Sequence, residues 1–233
     1  MHHIMSSELW SDMGPELWPA FWVTIKLSVY SAIGSLILGI ILTAMRVCPV
    51  GILRAVANAY TTIIRNTPLT LIILIASLGL YYNLNVLLAS DSSNKFIEQQ
   101  NFRLAVLAFI VYTSTFVAES LRSGINTVPF GQAEAARSLG MSFMQNFRYV
   151  VFPQAIRGSI VPLGNTLIAL IKNTTIASVI GVAEASLLMK TMQENYASDM
   201  FAIFAIIAVG FIILTLPTGL FFGWAGKRWA VKR

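Results

Sequence analysis

Apolar residues fall in long runs that recur along the whole chain, separated by short polar stretches. About 20 predominantly apolar residues suffice for a helix to cross a bilayer. The pattern predicts a first span from about Phe21 to Met45, closed by Arg46, and a second from about Leu69 to Leu88. A third is opened by Arg103 and reaches about Ser123; a fourth starts near Gly158 and is interrupted by Lys172-Asn173-Thr174-Thr175. Apolar sequence resumes at Ile176 to Val182, and a last span covers about Met200 to Gly223. Ser90 to Asn101 reads as a loop. Leu53 to Ile64 reads as an interfacial helix inside a turn-rich connection marked by Pro49, Gly51 and Pro68. A soluble helical core would need polar outer faces that these runs lack. Within the first span Ser31, Ser35 and Gly39 recur every four residues, so one face is lined by small side chains that admit a close helix neighbour in lipid.

Composition sharpens this picture. Of 233 residues, 56% are hydrophobic and only 11% charged, against about a quarter charged in a soluble domain. The expected fold is all-α, a polytopic membrane helical bundle of about five transmembrane helices. The net charge is +6, but the basic residues sit at the ends of apolar runs rather than in one patch, so they orient the chain instead of binding nucleic acid. The connections after spans one and three and the tail with Lys227, Arg228, Lys232 and Arg233 are basic. Acidic residues gather at Glu8, Asp12 and Glu16 and around Asp91, Glu98, Glu184, Glu194 and Asp199. Basic loops face the cytoplasm, which puts the N-terminus outside, the C-terminus inside, and an odd number of spans between. Residues 1–20 are then an extracytoplasmic segment, 21–223 the transmembrane domain and 224–233 a cytoplasmic tail. The acidic start is unlike a signal peptide, so the first span is expected to be retained. A lone Cys48 allows no internal disulfide, and His2 and His3 carry no site. No Walker-type phosphate loop and no strong inverted repeat is present.

The segment between spans three and four, 129–153, carries the clearest chemistry. Gln132 to Leu139 is a strong helix former, and Gly140 is placed to end it in the left-handed conformation. Met141 to Val151 is a second amphipathic piece with Phe143, Met144 and Phe147 available to pack, and Pro153 is expected to break it before the next span. Two short helices joined by a glycine at the membrane face make a knob able to pass force from a soluble partner to the spans; a plain connecting loop is the alternative.

Glu134-Ala135-Ala136, with Gly140 and the later Pro153, resembles the EAA motif of permeases from ATP-binding-cassette importers. Arg65-Asn66-Thr67-Pro68, Glu119-Ser120-Leu121-Arg122-Ser123-Gly124 and Lys172-Asn173-Thr174-Thr175 are similar to segments of the polar amino-acid branch. The whole chain most resembles the first permease of four-component glutamate uptake systems of actinobacterial type. The resemblance implies a type I importer fold in the bacterial plasma membrane, with Glu134, Ala135, Ala136 and Gly140 docking in a groove of an ATPase. It also implies a second, different permease, two cytoplasmic ATPase subunits and an extracytoplasmic binding protein. The chain would bind no cofactor or metal and would not be an enzyme, since ATP and Mg would belong to the partner ATPase.

Helix rise of about 1.5 Å per residue sets Thr113, Ser114 and Thr115 about 15–18 Å from Arg103, and Asn165 and Thr166 about 12–14 Å from Arg157. Both groups are near mid-bilayer, where transporters commonly bind substrate. Thr113, Thr115 and Asn165 are therefore candidates for the substrate path, with hydrogen bonding between helices as the alternative. Lys172, where span four is interrupted, is either a cation for a carboxylate substrate or an interfacial anchor. Lys26 reads as snorkelling to the interface. Glu119 and Arg122, three apart, are expected to form an ion pair at the inner end. The runner-up function is an ion-coupled secondary carrier acting without an ATPase, which needs a buried acidic proton or sodium site within the spans, and Glu119 is the only carboxylate near such a position. No catalytic cluster supports an enzyme.

Overall fold

The structure, a computed structural model, describes residues 7–90 and 94–229; His2, His3, Asp91, Lys232 and Arg233 lie outside them. The described residues are helical, with no strand among them. In chain order the helices are α1 (Ser7–Val47), α2 (Gly51–Arg65), α3 (Leu69–Leu74), α4 (Phe96–Ile125), α5 (Phe130–Ser138), α6 (Phe143–Asn146), α7 (Phe152–Asn173), α8 (Ala185–Asn195) and α9 (Met200–Trp229). α3 widens into a π-helix at Ile75–Asn83 and α6 into one at Phe147–Val151, while α7 tightens into a 3₁₀ turn at Thr174–Ile180. Four helical runs are long and apolar enough to cross a membrane, and α2 with α3, joined through Pro68, makes a fifth if the pair acts as one broken span. The expected all-α fold is thus observed, with four to five candidate spans against the expected five.

The helices fall into two compact units. Residues 1–31, 68–109 and 169–216 form the first; residues 32–67, 110–168 and 217–233 form the second. In the first unit α1 begins at Ser7, well before the expected Phe21. Leu9, Met13 and Leu17 recur every four residues and pack with Met192, Ile203 and Ile207 in one apolar cluster. That burial outweighs Pro15 and Pro19 inside the helix, and Tyr196 Oη donates to Asp12 Oδ2 at 2.5 Å on the same side.

The second span is shorter than expected, because the chain leaves the helix at Leu84 and Asn85 adopts a left-handed φ of 50°. The stretch that follows is held by the buried Gln100. Its Oε1 accepts from Leu88 N and Ala89 N, and its Nε2 donates to Val86 O. This tie explains why α4 starts at Phe96, inside the stretch expected to be loop. The expected interruption of span four is the α-to-3₁₀ change after Asn173. Thr174 and Thr175 donate their hydroxyls to carbonyls three residues back, and Gly181 at φ 78° ends the turn. α8 was not anticipated. The fully buried Glu184 caps it, accepting from Ser186 N at 2.8 Å and Leu187 N at 3.0 Å.

In the second unit the small face of α1 does what its spacing predicted. A Cβ added at Gly39 would lie 2.4 Å from Val117 Cγ1, so α1 and α4 touch where only glycine fits. Pro153 departs from expectation. The helix does not break there, and Phe143–Ile180 counts as one continuous run. The π turn ahead of the proline, where Phe152 N donates to Phe147 O five residues back, widens the coil and accommodates a residue that has no N–H to give.

Candidate coupling site

The candidate site lies wholly in the second unit, where α5 and α6 follow the end of α4. α5 starts immediately after Pro129, and its last turn closes on Gly140. Gly140 N donates to Arg137 O at 2.9 Å and Met141 N to Ala136 O at 3.2 Å. This pair of bonds, with Gly140 at φ 83°, is a Schellman closure, which satisfies two carbonyls the helix end would otherwise leave open. Ser142 then caps α6 in a reciprocal box: Ser142 Oγ accepts from Gln145 N, and Gln145 Oε1 accepts from Ser142 N. Asn146 Nδ2 donates to Ala133 O at 3.0 Å and Gln154 Nε2 to Gln132 Oε1 at 2.6 Å. The two short helices are therefore locked to each other and to the base of α7.

The four residues singled out for coupling separate into two kinds. Glu134, Ala135 and Gly140 are exposed, whereas Ala136 is buried against the second helix and lends its carbonyl to the closure. Two large apolar side chains of the same knob are exposed. Phe130 is 76% exposed and Leu139 85% exposed, and large apolar side chains so presented mark a surface that another protein covers. Sequence reasoning passed over both, although Phe130 lies four residues before Glu134 and so on its face. The knob also lines a cleft of about 870 Å³, with Cys48, Arg54, Asn126, Phe130, Arg137 and Phe147 among its walls.

A charged cluster in the same unit corrects one expectation. Glu119 does not pair with Arg122. Arg46 Nη1 donates to Glu119 Oε1 at 2.6 Å, and Arg65 lies 3.4 Å from the same oxygen. Arg46 Nε also donates to Asn58 Oδ1 at 2.8 Å, and Arg65 stacks over Phe116. A nearly buried Arg46, brought in by the α1–α4 contact, wins over an exposed helical neighbour whose pairing water would screen. The cluster joins the ends of α1 and α2 to α4. The sequence had marked Arg46 as the end of the first run and Arg65 as part of the Arg65-Asn66-Thr67-Pro68 segment, and neither as a partner of Glu119.

The candidate substrate residues are dispersed. Thr113 and Thr115 are buried, and Thr115 Oγ1 donates to Tyr112 O at 2.7 Å, which fits the packing alternative for that hydroxyl. Asn165 is exposed on α7 in the second unit; Lys172 is exposed in the first and makes no ion pair among the described residues. No group of residues able to hold a metal occurs among the described residues.

Residues 35–231 match the family described as binding-protein-dependent transport system inner membrane component. The chain is 67% identical over 227 residues to the glutamate transport system permease protein GluC of Corynebacterium efficiens, covering 97% of this chain and 100% of that one. It is 32% identical to the probable glutamine ABC transporter permease protein GlnM of Bacillus subtilis, over 89% of this chain and 90% of that one. Among solved structures, an amino acid ABC transporter crystallised with histidines is similar at a TM-score of 0.79 and 29% identity, covering 96% of this chain and 100% of that one. The methionine ABC transporter MetNI, in an inward-facing form, shares the fold at a TM-score of 0.75 and 17% identity, with 97% and 100% covered. These neighbours are importer permeases rather than secondary carriers, which removes the runner-up reading.

Proposed function

Since the chain belongs to the family of binding-protein-dependent transport system inner membrane components, we propose that it is the permease subunit of an ATP-driven importer carrying glutamate inward across the bacterial plasma membrane. One observation carries the substrate: the 67% identity to a glutamate permease, which extends along the whole of that relative. The chain acts as a multi-pass inner-membrane component with its N-terminus outside and its C-terminus in the cytoplasm. It pairs with a second, different permease, two ATPase subunits and an external binding protein. It holds no cofactor; ATP and Mg bind to the ATPase.

In this mechanism the ATPase grips the exposed surface of α5, with Glu134 as its polar anchor and Phe130 one turn before it on the same face. Ala135 leaves room for close approach, and Gly140 with Ala136 keeps the knob closed. Movement of the knob passes directly into α7, because the helix is continuous past Pro153. The Arg46–Glu119–Arg65 cluster makes α1, α2 and α4 respond together. Asn165 contacts the substrate within the second unit, Lys172 attracts its carboxylate within the first, and Thr113 and Thr115 serve chiefly to pack. Transport is directional because the binding protein and the ATPase favour different states of the permease pair.

The test is uptake of labelled glutamate into proteoliposomes holding the four components. Uptake that requires ATP, the ATPase and the binding protein together supports the reading. Uptake that persists when the ATPase is omitted refutes it.

A further inference from the structure

In the first unit, α1 and α4 face each other across a cleft of about 530 Å³ whose lining is chemically mixed. That volume is within the range of small-molecule sites, about 300–1,000 Å³. Lys26 enters from α1 and Glu98, Gln99 and Arg103 from α4, while Phe102, with Val23, Val106 and Val182, supplies apolar surface. Glu98 and Phe102 are four residues apart, as are Gln99 and Arg103, so successive turns of one helix present an acid, an amide, a ring and a base to the same space. The Lys26 Nζ lies 5.7 Å from the centre of the Phe102 ring, within range of cation–π attraction. Arg103 spends one contact on the Leu88 carbonyl and keeps further donors of its planar fork. Glu98 is exposed, and among the described residues its one ion pair, with Lys95, is stretched to 4.0 Å.

Two cations and one carboxylate give this cleft a net charge of +1. The ligand that neutralises it and also satisfies the carboxylate has two carboxylates and one ammonium group. We propose that the cleft bounded by Lys26, Glu98 and Arg103 is a binding site for an α-amino dicarboxylic acid. Lys26 and Arg103 take the carboxylates, Arg103 as a bidentate fork; Glu98 takes the ammonium group, and Phe102 packs on the methylene chain. The proposal rests on the reading of the chain as a glutamate permease and adds a substrate-selecting station to it.

The experiment measures equilibrium binding of L-glutamate, L-glutamine and glutarate to the permease pair in lipid nanodiscs, without the binding protein. Glutamine lacks the second carboxylate and glutarate lacks the ammonium group. Wild type is expected to prefer glutamate over each by about tenfold, the scale of one charge-assisted hydrogen bond. Lys26→Gln should bring the glutamate-to-glutamine ratio near one and leave the glutamate-to-glutarate ratio intact. Glu98→Gln, at an exposed position where misfolding is not a concern, should do the reverse. A wild type without both preferences, ratios unmoved in the variants, or equal weakening of all three ligands each overturns the site. ATP-driven uptake by the wild-type four-component assembly is measured beside it. Glutamate uptake with unmoved ratios overturns the cleft alone, whereas absence of glutamate uptake overturns the parent reading and the cleft with it.

Discussion

Replacing Gly140 separates backbone conformation from side-chain contact at the knob. Gly140 sits at φ 83°, and a Cβ built there meets nothing within 4 Å. A substitution therefore costs only what the left-handed backbone costs an L-residue, about 1–2 kcal/mol for alanine, less for asparagine and more for a β-branched residue. At about 1.4 kcal/mol per tenfold, alanine should reduce the closed knob roughly tenfold relative to the opened form. Valine should reduce it further, and asparagine should stay near wild type. The closure is far from the contacts between spans, so membrane insertion and assembly with the second permease should not change. The assay is ATP hydrolysis by the reconstituted importer with and without substrate-loaded binding protein. Stimulation should fall in the order glycine, asparagine, alanine, valine, while the amount of permease pair recovered stays constant. Equal stimulation in all four would show that the left-handed turn is not what couples the two proteins. Equal loss in all three variants would implicate the surface of residue 140 rather than its conformation.

Three further outcomes are expected. Glu119→Gln leaves Arg46, only 10% exposed, without its closest charged partner, although Asn58 still accepts from its Nε; the one-third exposure of Glu119 brings the expected loss to about 2–3 kcal/mol, below the range for a fully buried pair. A double-mutant cycle followed by thermal unfolding in detergent should therefore give strong coupling with Arg46→Gln and almost none with Arg122→Gln, and comparable coupling to both would refute the assignment. Burial raises the Glu184 carboxyl from 4.5 to about 7, so between those values the folded chain holds a proton that the unfolded chain has lost. Stability should then fall as pH rises from about 4.5 to about 7 and level off above, and Glu184→Gln should flatten that slope in thermal melts taken across the range. Lys172→Met should weaken uptake of an acidic amino acid more than of a neutral one; equal effects on both would assign Lys172 to anchoring.

The spans were legible because an apolar run long enough to cross a bilayer has few other uses, and the knob because Gly140 and Pro129 punctuate a helix-forming stretch. The start of α1 was hidden by Pro15, Pro19 and three acidic residues, which argue locally against a helix. Only the cluster of Leu9 and Met13 with Met192 and Ile203 reverses that preference, and partners so distant in sequence leave no local trace. α8 was missed for a related reason. Its capping residue, Glu184, reads from sequence as a charge outside the membrane, and its burial becomes apparent only in three dimensions. The Glu119 partner was mistaken because spacing along one helix names neighbours on that helix alone. Arg46 arrives from another, through the contact that Gly39 permits.

The unbroken passage from α6 into α7 has a mechanical consequence. From Phe143 to Ile168, within one unit, some 26 residues at about 1.5 Å each make a strut about 39 Å long. Thrust or torque applied at its foot meets no break in the helix at Pro153, so it passes on into α7. Give is concentrated at two points, the widened turn at Phe147–Val151 and Pro162, whose ring removes one rung of the ladder. Stiffening or softening either one would change how far a push at the foot travels.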